Sequence, residues 1–93
     1  MNRNERMEKF IKSVNRLLVS NDDMTINDLR LIVAQHKEIR VWDNNQPKEL
    51  INPKVLFSGN LSDLAFTEKI AKETVIEMTP INNVLVFYIN HKE

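Results

Sequence analysis

Apolar residues recur at helical spacing in the first fifth of the chain. Met7, Phe10, Ile11, Val14, Leu17 and Leu18 follow an i, i+3, i+4, i+7, i+10, i+11 series. At about 100° per residue they form one stripe, which predicts an amphipathic helix over residues 1–19 packed through Phe10, Val14 and Leu17. The polar cluster Ser20-Asn21-Asp22-Asp23 ends it, because such side chains compete for backbone hydrogen bonds. A second helix is expected over residues 25–36. Thr25 stands at the N-cap with Asp28 three residues on, the spacing of a capping box, and Met24 and Leu29 are placed to staple the entry.

From Glu38 the period changes to two. Glu38-Ile39-Arg40-Val41-Trp42-Asp43 alternates apart from Trp42 and is rich in strand formers. Further strands are predicted over Lys54–Asn60, Thr74–Thr79 and Val84–Asn90, separated by Asn/Pro turns. Gly59 is expected to mark a strand end or a bulge. Residues 62–72 read either as a short helix opened by Ser62 or as an ordered connection. Helices followed by strands imply an α+β domain over residues 1–93. Two N-terminal helices are expected on one face of a mostly antiparallel four-stranded sheet spanning residues 38–90, with a short turn closing the last two strands into a hairpin.

Composition narrows the function classes. The 93 residues include no cysteine, which excludes disulfides, thiolate nucleophiles and cysteine-ligated zinc. No apolar run approaches the roughly 20 residues of a membrane span. No apolar leader is visible, and a cytoplasmic location without membrane contact is expected. Net charge is zero but uneven. Residues 1–20 carry five basic and two acidic side chains, a net +3, and the remainder carries −3.

The segment from the helix opening at Thr25 runs through Ile39-Arg40-Val41-Trp42-Asp43 and Val55-Leu56-Phe57-Ser58-Gly59-Asn60-Leu61-Ser62-Asp63-Leu64. It closes on Val75-Ile76-Glu77-Met78 and Val84-Leu85-Val86-Phe87-Tyr88-Ile89. Over residues 25–90 this resembles small uncharacterised proteins of phages, prophages and plasmids of Gram-positive bacteria. The resemblance implies a mobile-element origin and no particular activity.

No catalytic or metal constellation is gathered by the sequence. His36 falls beside the apolar face of the second helix and His91 near the C-terminus, where solvent exposure is expected. Neither has a spaced nucleophile and orienting group. Asp22, Asp23 and Asp28 lack calcium-loop spacing and fit a solvated loop beside a helix N-terminus. One glycine cannot build a phosphate cradle. No cofactor and no enzyme activity are expected.

Two features remain as candidate contacts. Arg6, Lys9, Lys12 and Arg16 share one side of the first helix, which is either a solvated face or a site for nucleic acid or another anion. Glu5 and Glu8 dilute this face. Trp42, alongside Arg40, falls on the sheet face opposite Ile39 and Val41, either covered by a loop such as residues 44–53 or exposed as an interface anchor. Leu56, Ile76 and either Val86 or Phe87 add apolar groups on both sheet faces. The expected function is a non-enzymatic protein-binding or accessory module, a mobile-element modulator of a host protein, which self-associates as a two-fold homodimer near Trp42 or through an exposed strand. The alternative is a nucleic-acid-binding accessory protein using the basic helix face.

Overall fold

The computed structural model describes residues 3–33, 38–45, 54–82 and 84–92. Helix α1 is Arg3–Ser20 and helix α2 is Ile26–Leu29. Strands β1 (Glu38–Asp43), β2 (Val55–Asn60), β3 (Val75–Ile81) and β4 (Val84–Ile89) form one sheet in the order β2-β1-β4-β3. The layout is α+β with its helices N-terminal.

The stripe on α1 buries Ile11, Val14 and Leu18 against the sheet, with Met7 and Phe10 half-buried beside them. Leu17 departs from expectation, at 41% exposed, because it lies at the margin of the stripe. The helix ends where the Asn21 backbone N–H and its Nδ2 both donate to the Leu17 carbonyl at 2.9 Å. These two bonds satisfy a carbonyl that has no partner further along a helix.

The capping box at Thr25 forms as its spacing predicts. The Asp28 N–H donates to Thr25 Oγ1 at 3.3 Å, and the Thr25 N–H donates to Asp28 Oδ2 at 2.9 Å. The helix it opens is far shorter than the expected 25–36 stretch. Regular helix stops at Leu29, and a turn carries the chain through Val33. The Ile32 N–H donates to the Leu29 carbonyl instead of reaching Asp28, which tightens the last turn. Leu31 then points into solvent at 94% exposure. Residues 34–37, including His36, lie outside the described residues.

The sheet is mostly antiparallel, as expected, with one parallel pair at its centre. Pairs β1–β2 and β3–β4 are antiparallel, but β1 and β4 run parallel, in register from Ile39↔Leu85 to Asp43↔Ile89. Burial on both faces explains the choice of centre. All six residues of β4 are buried, as suits an interior strand. Ile39, Val41, Leu85, Phe87 and Ile89 point to the helices and join Ile26, Leu29, Val75 and Met78 in the core.

The 62–72 segment is neither a single helix nor plain coil. Two 3-10 turns, Leu61–Asp63 and Lys69–Lys72, drop Leu61 and Ala71 into the core, with Leu64 between them. Arg30 holds this segment to α2. Its Nη1 donates to the Leu61 carbonyl at 3.1 Å, its Nη2 to the Leu64 carbonyl, and its Nε to Asn27 Oδ1 at 2.9 Å. The Asn27 amide in turn donates to the Phe66 carbonyl at 3.0 Å, and the guanidinium lies 4.1 Å from the Phe66 ring centre. Burial lowers the Arg30 pKa from its ordinary value, yet a guanidinium stays charged.

Pro80, read from the sequence as part of the turn, lies inside β3. The turn itself centres on Asn82, whose φ of 51° is the left-handed conformation that asparagine tolerates. A proline fits β3 because β3 is an edge strand.

Candidate functional site

The sheet face turned away from the helices is organised in rows by the register. Val55, Trp42, Tyr88 and Glu77 stand side by side across β2, β1, β4 and β3. The next row is Ser58, Arg40, Val86 and Thr79. Trp42 and Arg40 therefore lie on the face that the alternation predicts, neighbours on one strand. Both are half-buried. The Trp42 ring meets Tyr88 edge-on, with centroids 5.6 Å apart and planes at 89°, the favourable quadrupole arrangement. Tyr88 in this row and Val86 in the next are buried, while Val55 at the row's end is 46% exposed. The Trp42 Nε1 is buried with no hydrogen-bond partner among the described residues, a cost of about 1–3 kcal/mol for an indole donor removed from water. The sequence offers residues 44–53 as a cover for this face, and of these 46–53 lie outside the described residues.

A β-bulge sits at this point. Between Val41 and Trp42 the pairing with β2 shifts, so that Trp42 faces Val55 and Leu56 is the extra residue. The bulge turns the end of β2 and helps to aim Trp42 at its neighbours. Three residues beyond Leu56, Gly59 adopts φ +153°, a conformation closed to side-chain-bearing residues, and its bare Cα lies under the Phe57 ring. Gly59 thus lies inside β2, one residue from its end.

The basic set predicted on α1 is also brought together. Arg6, Lys9, Lys12 and Arg16 are all exposed, and none forms an ion pair with another described residue. Lys12 and Arg16 flank an open groove of about 530 Å³, lined also by Asn15, Val19 and Ser20. Asn15 is not available to a ligand through its amide, because that amide is bonded to the backbone of β3. The structure therefore places the two predicted sets on different parts of the fold, α1 and the far side of the sheet.

His91 is partly buried, contrary to the exposure expected for it. Its Nδ1 is 2.7 Å from Glu73 Oε1, and Glu73 Oε2 accepts the Lys92 N–H at 2.7 Å. This carboxylate ties the end of the chain to the start of β3. A histidine oriented by a carboxylate is half of a nucleophile-activating arrangement, but no hydroxyl of the described residues is hydrogen-bonded to His91. The described residues hold no group of three metal-ligating side chains and no helix long and apolar enough to cross a membrane.

Sequence reasoning passed over Asn15, Arg30 and Glu73. Each is a polar residue whose partner lies far along the chain. The only local signal was a polar side chain beside an apolar stripe, as at Asn15 next to Val14. Comparison of the chain with protein-family models, with curated proteins and with solved structures finds no match.

Proposed function

We propose that this chain is a small non-catalytic protein-binding module whose contact face is the sheet surface around Trp42 and Arg40, and that it serves a mobile element by engaging a host protein. The observation that carries this reading is the composition of that face. A tryptophan packed edge-on to a tyrosine, an arginine with no ion pair among the described residues, and an exposed valine stand together in neighbouring rows. Tryptophan, tyrosine and arginine are the residues over-represented at the energetic centres of protein interfaces. The mobile-element part rests on the sequence resemblance over residues 25–90. The same reading takes in self-association as a homodimer in the cytoplasm.

The test is capture of partners from a Gram-positive host lysate by the tagged full chain and by Trp42→Ala, each checked for native circular dichroism. One protein retained by the wild type, lost by Trp42→Ala and binding the purified chain by calorimetry is the expected result. Equal capture by a folded Trp42→Ala chain overturns the assignment of this face.

A second reading is favoured by the exposed cations Arg6, Lys9, Lys12 and Arg16, which fit a polyanion such as nucleic acid. It requires retention on duplex or single-stranded DNA that falls steeply with salt and weakens in Lys12→Ala/Arg16→Ala. Salt-independent flow-through rules it out.

A further inference from the structure

The two edges of the sheet are unequal. The outer side of β3 is occupied along its length. The Val75 N–H donates to the Met24 carbonyl at 2.7 Å. The Met78 N–H and carbonyl both bond the Asn15 amide at 2.9 Å. Two residues beyond Met78, Pro80 faces the same way and has no N–H to offer. An incoming strand finds nothing to pair with there, the usual protection of an edge.

Among the described residues, the outer side of β2 has no such protection. Its hydrogen-bonding direction follows from the ladder. The Asn44 N–H donates to the Ile89 carbonyl at 2.8 Å, so even-numbered residues of β1 point to β4 and odd-numbered ones to β2. Ile39 and Val41 therefore bond Gly59 and Phe57, and Ser58 between them turns its N–H and carbonyl outward. No hydrogen bond is made to that side of β2 by any described residue, and no described residue of β2 bonds outside β1. The strand Val-Leu-Phe-Ser-Gly-Asn contains neither proline nor charge.

We propose that β2 is the self-association edge, pairing antiparallel with β2 of a second copy about a two-fold axis at Ser58. This deepens the homodimer reading and is independent of the Trp42 face. The register is set by parity, since an outward-facing residue must meet another outward-facing one. Ser58 then exchanges both hydrogen bonds with Ser58 of the other copy, and Leu56 stands opposite Asn60. Phe57 stands opposite Gly59, so no two bulky side chains of the paired strands face each other there. A second copy is the occupant that the charges fit. The paired strands are uncharged, so no like charges oppose across the axis. A six-residue strand pair is smaller than a standard interface of about 1,600 Å², so the dimer is concentration-dependent.

Light scattering on the full chain is expected to give a mass rising from about the 10.9 kDa monomer towards twice that between about 10 µM and 1 mM, a range that follows from the small paired area. Hydrogen exchange at the Ser58 amide is expected to slow at least tenfold across the same range. Ser58→Pro, which removes an outward N–H only, and Ser58→Lys, which sets two cations on the axis, are expected to hold the chain monomeric with unchanged circular dichroism. A monomer with a fast Ser58 amide at every concentration overturns the proposal and leaves the edge to a foreign strand. A dimer that survives both Ser58 substitutions but disperses in Trp42→Lys also overturns it, and moves self-association to the sheet face.

Discussion

The Asn15 side chain and the Met78 backbone exchange two hydrogen bonds, Nδ2 to carbonyl and N–H to Oδ1, each 2.9 Å, across 63 positions of sequence. A carboxamide presents one donor and one acceptor in the geometry of a peptide group, so α1 closes the β3 edge as a neighbouring strand would. Asn15→Ala leaves both backbone groups without their partners in a part-buried setting. A loss of about 1–3 kcal/mol in urea denaturation is expected, with new aggregation at high concentration because the edge is opened. Unchanged stability and solubility would show that water replaces the amide at no cost.

Arg30 is 5% exposed and spends its donors on Asn27 and on the carbonyls of Leu61 and Leu64. Arg30→Ala strips partners from both carbonyls, and about 2–3 kcal/mol is expected, the range for hydrogen bonds to a charged group. Arg30→Lys is expected to recover less than half of this, because an ammonium cannot span the planar fork. Thermal melts of the two variants settle the order.

Adjacent leucines on α1 separate core from margin. Leu18 is 5% exposed and Leu17 is 41%. Leu18→Ala is expected to cost about 2–5 kcal/mol. Leu17→Ala should stay within about 1 kcal/mol, near the range for surface changes. Equal costs in a guanidinium titration would mean that α1 rolls about its axis.

Trp42 holds a buried N–H without a partner among the described residues. Replacement by Phe removes that donor and keeps an aromatic edge against Tyr88, so Trp42→Phe is expected to change stability by less than about 1 kcal/mol despite its smaller ring. A loss above about 3 kcal/mol would show that indole volume, not the donor, dominates there. The variant also tests the proposed face, since it retains the aromatic surface.

Local chemistry is written locally, and the sequence by itself determined it. The stripe from Met7 to Leu18 specified α1, the Thr25–Asp28 spacing specified the cap, and the change of period at Glu38 specified β1 with Trp42 and Arg40 on the outer face. The exposed basic side of α1 followed from the same helical geometry. Tertiary structure decided what depended on distant partners. A hydrophobic strand pattern reports burial, not which neighbour provides it, so the parallel β1–β4 centre was beyond the sequence. The docking of α2 turned on Arg30 reaching carbonyls more than thirty residues away, and regular helix stopped at Leu29 with a turn through Val33. The inequality of the two sheet edges came from Asn15, Met24 and Pro80 meeting one strand, because hydrogen bonds between distant residues leave no periodic trace along the chain.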